Sequence, residues 1–347
     1  MKSREKLISL CKGKNVHIAT HWDCDGVTSG GLLFHILKPF AKRLSTVSKG
    51  DVFLIYAKDC PTDADIIICS DIQPSQELDP NKVIYIDHHP HEGTDNYLLS
   101  LHDDKAQSCS MLIWQELLSD TKDPYYLFLI LLGYFGDSGS KDLIPIELLL
   151  RAREHFPHLL EAKQSTFNDG TYYPIELFVS LFNTGKRMHW SGKVPLELLK
   201  AINNYQDITQ NRHPLVDELQ RYKLELRALY NMKIDFQTTE QFDFAIIECD
   251  KNIQGVICSR YMKQKPIVVL NKRGDKVIAS MRVPEQSDFD AGVFLSKFKA
   301  FDTSMIGGGH EKAGGITFDV KHLDMFVEHL KHNDTQEKSI GKTKPIH

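Results

Sequence analysis

Three short apolar runs in the first part of the chain each lead into side chains that can bind a metal ion. The runs and the residues after them are Val16–Thr20 before His21, Asp23 and Asp25; Ile66–Cys69 before Asp71; and Val83–Ile86 before Asp87, His88 and His89. Short apolar runs with helical stretches between them are typical of buried strands in a parallel sheet that is covered on both faces. Ligands of such sheets bind beyond the carboxyl ends of the strands, so the sequence predicts one shared site there.

Each of these signals has an ordinary structural explanation when it stands alone. Asp-Cys-Asp-Gly at 23–26 is typical of a turn, and Asp71 is a typical capping residue. The two histidines would fit a hydrogen-bonded pair in the core, and Asp137, after the apolar stretch Tyr125–Phe135, would fit a loop. Their recurrence where one sheet edge would collect them favours a metal site. Carboxylate oxygens mixed with imidazole nitrogens suit manganese or magnesium, and a bridging carboxylate can hold two ions close together.

The length of the chain, 347 residues, predicts two domains. Helical patterns run from about residue 143 to 229, and strand patterns then return. We predict a parallel-sheet α/β domain over 1–185, a helical connector over 186–235, a smaller mixed α/β domain over 236–331 and a disordered polar tail over 332–347. The patterns also predict a helix over Val27–Leu37, a strand over Val52–Ala57 and a long connector helix over Pro214–Tyr230.

Charge and cysteine content exclude several classes of protein. The formal net charge of -4 argues against nucleic-acid binding through bulk positive charge, so such binding needs a local patch. The cysteines number seven and include no CxxC pair, which argues against a disulfide framework or a structural zinc site and favours a reducing compartment. The chain start is too polar for a signal peptide, and the most apolar run is too short to span a bilayer. The sequence therefore predicts a cytoplasmic protein with no membrane partner.

Two other motif assignments compete with the metal site. GDSGS at 136–140 resembles the serine-protease nucleophile signature, but that signature belongs to secreted all-β enzymes with disulfides. DCDGVT together with GDSGSKD resembles the haloacid-dehalogenase-like phosphatases, in which Asp23 would be the nucleophile and Asp25 the acid and base. That assignment leaves the Asp-His-His triplet at 87–89 and about two hundred C-terminal residues without a role.

The order of the motifs resembles that of one known family. HWDCDGVTSG, the strand-end Asp71, the Asp-His-His triplet, Gly-Asp at 136–137 and then IGGGHEKAGGITF succeed one another along the chain. In these features the sequence resembles the DHH phosphoesterases, and among them the RecJ-like nucleases, over nearly the whole chain before the tail. ASMRVP and the GGGH run resemble the DHH-associated C-terminal domain. The resemblance implies a DHH domain, a connector and a smaller substrate-binding domain, with the active site in the cleft between the domains.

The resemblance also implies a role for each site residue. The site would bind two divalent ions, for which Mn²⁺ is favoured over Mg²⁺. One ion would be held by His21, Asp23 and Asp71. The other would be held by Asp25, Asp71, His88 and Asp137, so that Asp71 bridges the two ions. Asp87 would orient the histidines, and His89 would face the scissile phosphate. A substrate phosphate or terminal nucleotide would be held by Arg282, Gly307, Gly308, Gly309 and His310. Cys24, between two motif aspartates, departs from the family pattern without removing a ligand.

The implied activity is hydrolysis of single-stranded DNA or RNA, or of short oligonucleotides, to nucleoside monophosphates by metal-activated water. One alternative is a hydrolase of dinucleotides, cyclic dinucleotides or 3′-phosphoadenosine phosphate, and another is a non-catalytic replication scaffold. Replication or repair proteins are the protein partners that the resemblance implies. Longer nucleic acids need further contacts, for which the candidates are two basic clusters: Lys186, Arg187 and Lys193 with Trp190, and Arg260, Lys263, Lys265, Lys272 and Arg273.

Overall fold

The computed structural model describes residues 3–50, 53–90, 96–137, 143–164, 171–302 and 304–332. The chain divides into two compact units, Met1–Glu225 and Leu226–His347. The predicted tail lies outside the described residues from 333 onwards, as do residues 138–140 of the GDSGS run. Within the described ranges, no helix combines the length and apolar character that crossing a membrane requires.

The first unit is built on a five-stranded sheet in which all neighbouring strands are parallel. The strands of this unit are β1 (Asn15–His21), β2 (Arg43–Lys49), β3 (Leu54–Ile55), β4 (Ile66–Ser70), β5 (Gln73–Pro74), β6 (Val83–Asp87), β7 (Leu99–His102), β8 (Lys163–Gln164) and β9 (Thr171–Tyr172). The large sheet has the order β2-β1-β4-β6-β7, and β3–β5 and β8–β9 form two small pairs. The predicted parallel sheet is confirmed.

Two mostly buried helices form much of the core that packs against this sheet. The helices of the unit are α1 (Ser3–Cys11), α2 (Cys24–Leu37), α3 (Cys109–Leu117), α4 (Pro124–Asp137), α5 (Ile146–His155), α6 (Glu176–His189), α7 (Lys193–Ala201), α8 (Gln206–Thr209) and α9 (Pro214–Tyr230). Helices α2 and α4 pack on each other and bury most of their side chains. A Cβ atom at Gly30 would lie 2.5 Å from Cγ2 of Thr20, so glycine allows α2 to lie close to β1. This contact fixes the first turn of α2 at the carboxyl end of β1.

The second unit has a six-stranded mixed sheet. Its strands are β10 (Gln237–Thr238), β11 (Asp243–Glu248), β12 (Ile267–Arg273), β13 (Lys276–Arg282), β14 (Ile306–His310) and β15 (Ala313–Asp319), and its helices are α10 (Gln254–Tyr261), α11 (Ala291–Ser296) and α12 (Leu323–His332). The order is β10-β11-β12-β13-β15-β14, with β11 and β12 parallel and the other neighbours antiparallel. Buried phenylalanines dominate its core. The predicted mixed α/β character of this part of the chain is confirmed.

Several predicted element bounds differ from those in the structure. Helix α2 begins at Cys24 rather than Val27, because the Asp23 carboxylate caps it by accepting a hydrogen bond from the Gly26 amide at 3.1 Å. The strand predicted over Val52–Ala57 is reduced in the described residues to β3, and a 3-10 turn comes after it at Ala57–Asp59. The boundary between the two units falls inside α9, whose predicted bounds are those observed.

The two edge strands of the parallel sheet were not predicted. Strand β2, with the sequence RLSTVSK, is mostly half-buried, and β7, LSLH, alternates buried and half-buried residues. The apolar runs that identify β1, β4 and β6 reflect burial on both faces in the centre of the sheet. Edge strands are exposed on one side and carry no such run, so this criterion misses them.

Candidate metal centre

The central strands of the first unit bring their carboxyl ends together at one edge of the sheet. Thr20 of β1 pairs with Ser70 of β4, and Ser70 pairs with Ile86 of β6. The residues that follow these three strand positions are His21, Asp71 and Asp87. They are therefore neighbours at the edge of the sheet. The shared strand-end position predicted from the sequence is the one that the register produces.

Two further aspartates reach this edge from the helices. Asp25 lies in the first turn of α2, and Asp137 is the last residue of α4 rather than part of a loop. Nε2 of His88 lies 3.3 Å from Oδ2 of Asp137, 3.4 Å from Oδ1 of Asp71 and 3.9 Å from Oδ2 of Asp25. One imidazole nitrogen therefore faces three carboxylates that come from distant parts of the chain.

The His88 ring directs its Nε2 atom towards these carboxylates. Its Nδ1 lies 3.2 Å from the carbonyl oxygen of Ala106, an acceptor, so in the neutral ring Nδ1 carries the proton and donates it there. The opposite nitrogen, Nε2, is buried and has no hydrogen-bond partner among the described residues. Metal-ligating histidines show this arrangement, in which a carbonyl fixes the tautomer that leaves the other nitrogen free to coordinate.

A second imidazole lies on the other side of Asp71. Nδ1 of His21 is 2.8 Å from Oδ2 of Asp23 and 3.7 Å from Oδ2 of Asp71. Oδ1 of Asp71 is buried and makes no hydrogen bond in the part of the chain that the structure describes. Asp71 thus presents one oxygen towards each histidine, which is the arrangement that a bridging carboxylate needs.

The backbone at Asp71 has a left-handed conformation, with φ of 60°. Asp tolerates this region better than most residues, at a cost of about 1 kcal/mol. The Asp71 amide donates to the carbonyl of Ile86 at 3.0 Å, which anchors this turn to the end of β6. The turn directs the side chain into the carboxylate cluster.

Asp25 is held by the first turn of α3. Its Oδ2 accepts a hydrogen bond from the Cys109 amide at 2.6 Å, and its Oδ1 accepts one from the Ser110 amide at 3.0 Å. The positive end of the helix dipole favours a carboxylate at this position. A Cβ atom at Gly133 of α4 would lie 2.2 Å from Oγ of Ser110, 2.4 Å from Oγ1 of Thr28 and 2.6 Å from Oδ1 of Asp25. The carboxylate of Asp25 can therefore occupy this position only because residue 133 is glycine.

Asp87 uses its oxygens within the Asp-His-His turn itself. Oδ1 accepts from the backbone amides of His88 and His89 at 2.7 and 3.1 Å and lies 2.8 Å from Nδ1 of His89. Oδ2 accepts from the hydroxyl of Tyr85 at 2.9 Å. On the other side, Nε2 of His102 lies 2.7 Å from the carbonyl oxygen of His89. These bonds orient the two imidazoles and occupy Asp87.

Crowding of the carboxylates shifts their proton affinities. Burial, and then the charges of Asp25 and Asp23, raise the pKa of Asp137 to about 8. Burial followed by the neighbouring carboxylates raises the pKa of Asp71 well above its usual value. For Asp23, burial acts in the same direction, but His21 and Lys186 outweigh it and hold the pKa well below its usual value. Asp71 and Asp137 resist ionisation in the metal-free site, and a bound cation would stabilise their ionised form.

Three features of the site carry no signal in the sequence and were not predicted. Lys186, expected in a surface cluster, instead places Nζ 3.6 Å from Oδ2 of Asp23. The first turn of α3 holds Asp25, although SCS at 108–110 carries only a capping signal at Ser108. The ring of Phe53 stacks on His21 with centroids 4.8 Å apart. Spacing along the chain indicates none of these three contacts.

The residues predicted to bind substrate in the second unit lie on neighbouring strands of its sheet. Arg282 ends β13 and pairs with Ala313 of β15, which in turn pairs with His310 of β14. Gly307, Gly308 and Gly309 form β14 rather than a loop or turn. A Cβ atom at Gly308 would meet nothing within 4 Å, and β14 is at the edge of the sheet. The register places Arg282 and His310 in one row at the same end of the sheet.

The fit of the first unit to a metal can be judged from its donor atoms. Three groups of His and Asp residues have ligand atoms within 4.8 Å of one another: Asp71, Asp87, His88 and His89; His21, Asp23 and Asp71; and Asp25, His88 and Asp137. Carboxylate oxygen with imidazole nitrogen is a donor set for Mn²⁺ or Mg²⁺. Oδ1 of Asp71 and Nε2 of His88 are buried and make no hydrogen bond among the described residues, so a cation would satisfy both atoms. The residues present therefore fit divalent metal binding.

Comparison with known proteins defines the class of fold. No protein-family model and no curated protein matches the sequence. Among solved structures, an exonuclease RecJ bound to manganese matches with a TM-score of 0.62 and 16% identity, over 97% of this chain and 95% of that chain. The DHH domain of a member of a family of ribosomal proteins matches with a TM-score of 0.64 and 15% identity, over 99% of this chain and 89% of that one. The chain therefore has the DHH fold.

Within that class, the fold is RecJ-like. RecJ from Thermus thermophilus in complex with Mn²⁺ matches with a TM-score of 0.65 and 16% identity over 99% of this chain. The match covers 55% of that protein, so this chain spans about half its length. The resemblance of the sequence motifs to the RecJ-like DHH proteins is confirmed at the level of the fold.

Proposed function

We propose that the protein is a metal-dependent phosphodiesterase that hydrolyses single-stranded nucleic acid or short oligonucleotides from an end. The observation that carries this proposal is the pair of buried atoms, Nε2 of His88 and Oδ1 of Asp71, that have no hydrogen-bond partner among the described residues and lie amid aspartates. A network of this composition is costly to bury without a cation. The RecJ-like fold supports nucleic acid as the substrate class, and the Mn²⁺ named for RecJ structures of that fold supports divalent metal binding.

Two groups of residues would hold the two divalent ions. His21, Asp23 and Asp71 form one group, and Asp25, Asp71, His88 and Asp137 form the other, with Asp71 common to both. Two bound cations would lower the pKa of a water molecule and offset the charge that develops on a phosphoryl group. The amides of Cys109 and Ser110 orient Asp25, and the carbonyl of Ala106 orients His88.

His89 would be the proton donor or anion-binding group beside the scissile phosphate. Burial acts to lower the pKa of its imidazole, but hydrogen bonding and charge interaction with Asp87 outweigh this and raise the pKa to about 9. In the metal-free protein the ring is therefore protonated at neutral pH and carries a positive charge. With Nδ1 directed at Asp87, Nε2 is the atom that would donate to a phosphate oxygen.

Residues of the second unit would bind the phosphate or the terminal nucleotide of the substrate. The guanidinium of Arg282 matches phosphate geometry, and His310 lies in the same row of the sheet. No neighbouring atom lies within 4 Å of the Cβ position of Gly308, so an anion can approach the backbone on that side. This unit would thus contribute affinity, while the first unit carries out the chemistry.

The test is incubation of purified protein with Mn²⁺ and end-labelled DNA and RNA of several lengths. A ladder that shortens by one nucleotide, with release of nucleoside monophosphate, is the expected result. Turnover restricted to dinucleotides, cyclic dinucleotides or 3′-phosphoadenosine phosphate would instead assign the small-substrate activity. Absence of turnover on every substrate, in a protein that binds Mn²⁺, would favour the scaffold.

A further inference from the structure

An exposed aromatic ring lies directly against the candidate metal centre. Phe53 is 53% exposed, although it belongs to a residue type that is usually buried. Its ring stacks on the ring of His21, with centroids 4.8 Å apart and an interplanar angle of 25°. The ring of His89 lies 6.3 Å away at 64°. Phe53 therefore lies beside both a candidate metal ligand and the candidate phosphate-binding histidine.

The support behind this ring is well packed. Nδ1 of His21 lies 2.8 Å from the Asp23 carboxylate, which fixes the imidazole that Phe53 covers. The ring of Trp22 lies 6.2 Å from that of His21, and the ring of Trp190 lies 5.9 Å from that of Trp22. Trp22 is buried so tightly that a Cβ atom at Gly50 would lie 2.4 Å from its indole. Phe53 is thus an exposed ring that rests on the imidazole of His21, which its contact with Asp23 and the neighbouring buried Trp22 hold in place.

Single exposed hydrophobic residues are common on protein surfaces and usually have no function. Phe53 differs because one face is covered by a site histidine while more than half of the side chain remains accessible. A neutral ring adds nothing to the binding of phosphate alone. A nucleobase, in contrast, stacks on an aromatic side chain whatever its sequence, which adds affinity without base-specific hydrogen bonds.

We propose that Phe53 stacks on the nucleobase next to the scissile phosphate and thereby selects nucleotides over base-free phosphate compounds. This inference rests on the proposed phosphodiesterase function and deepens it, since it names the chemical feature of the substrate that the site recognises. His89 would contact the phosphate, and Phe53, one ring contact away, would contact the base attached through the sugar. The same position would accept any of the bases.

Binding measurements test the inference independently of catalysis. Calorimetry with Mn²⁺ present compares adenosine monophosphate with ribose 5-phosphate, which has the same phosphate and sugar but no base. We expect the wild-type protein to prefer the nucleotide by about tenfold, equivalent to about 1.4 kcal/mol, and Phe53→Leu to lose that preference. Phe53→Trp, which keeps an aromatic face, should retain it. Phe40→Leu is the matched control, because Phe40 is also an exposed phenylalanine of the first unit.

Turnover provides the second measurement. Two substrates are compared by their kcat/KM: a dinucleotide, and the same compound with one base removed. In Phe53→Leu, the ratio of the first kcat/KM to the second should be about tenfold lower than in the wild-type protein. An unchanged ratio would overturn the proposal, as would equal affinity of the wild-type protein for adenosine monophosphate and ribose 5-phosphate. So would a Phe53→Leu variant whose Mn²⁺ affinity falls as much as its nucleotide affinity. The last result would mean that Phe53 only supports His21. If the wild-type protein binds the nucleotide selectively but hydrolyses nothing, the proposed function fails while this inference stands.

Discussion

Nε2 of His88 lies 3.4 Å from Oδ1 of Asp71, and both atoms are buried without a hydrogen-bond partner in the described structure. Each unsatisfied buried polar atom costs about 1–3 kcal/mol. A cation held by these residues would offset both costs, so metal binding and folding stability should be linked. Mn²⁺ at a hundred times its Kd would add about 2.7 kcal/mol to the free energy of unfolding.

Asp71→Asn should abolish hydrolysis and the stabilisation by Mn²⁺. Asparagine has a similar size and tolerates the left-handed backbone at this position, but it removes the anionic charge shared by the two ion groups. We expect the unfolding temperature of the metal-free variant to be no lower than that of the wild-type protein, because a crowded carboxylate has been removed. Thermal unfolding with and without Mn²⁺ measures both effects. Asp120→Asn, at an exposed aspartate, is the control, and wild-type activity in Asp71→Asn would refute the two-ion site.

His88→Ala separates metal-dependent catalysis from the aspartyl-phosphate mechanism of the phosphatase alternative. A covalent mechanism through Asp23 has no need of His88, whereas the proposed site loses a ligand that faces three carboxylates. We expect a fall of about 100-fold in Mn²⁺ affinity and a comparable loss of turnover. Calorimetry and rate measurements test this. An unchanged rate, or a phosphorylated Asp23 detected by mass spectrometry, would support the phosphatase.

Mn²⁺ affinity should fall as the pH is lowered below about 8. Burial and then the charges of Asp25 and Asp23 raise the pKa of Asp137 to about 8, so below that pH the metal-free protein holds a proton that the metal must displace. One displaced proton lowers the apparent affinity about tenfold for each pH unit. Calorimetry in buffers of different ionisation enthalpy counts the protons released. Affinity that does not change between about pH 6 and 8 would contradict this assignment.

Arg282→Ala should impair the turnover of short and long substrates alike, by raising KM. The guanidinium would contact a phosphate that every substrate carries. Replacing Lys272 and Arg273 should impair only long substrates, and this difference should shrink as salt is added. Rates on a dinucleotide and a long oligomer at several salt concentrations make the comparison. If Arg282→Ala leaves the turnover of both substrates unchanged, the proposal that the second unit binds substrate is wrong.

The part of the site that could be predicted from sequence is the part carried by strand ends. Asp71 and the Asp-His-His triplet come directly after buried apolar runs, and the parallel register necessarily aligns the residues at the ends of such runs. Lys186 could not be placed in this way. It lies on α6, far along the chain, and only packing brings its ammonium group to Asp23. The sequence shows that Lys186 is basic, and nothing in the pattern around it distinguishes a partly buried lysine from a surface one.

The conformation of the glycine run in the second unit could not be predicted from the run itself. Gly307, Gly308 and Gly309 have low strand propensity, so the sequence favours a turn or loop. In the structure they pair with Gly314, Gly315 and Ile316 as an edge strand. The pairing depends on β15, whose position is set by the sheet as a whole. Local propensity is overridden here by the register of the neighbouring strand.

The absence of a side chain at Gly133 has a genetic consequence. This residue lies on α4, offers no ligand atom and would be passed over in any search for reactive side chains. Yet a single added methyl group would overlap Oγ of Ser110 and Oδ1 of Asp25 at 2.2 and 2.6 Å. In a random mutagenesis screen, Gly133→Ala should therefore be recovered among null alleles, and Ser110→Ala, which removes the nearest of these atoms, should appear as a partial suppressor. The site therefore depends on the small size of residue 133 as well as on the residues that would bind the metal.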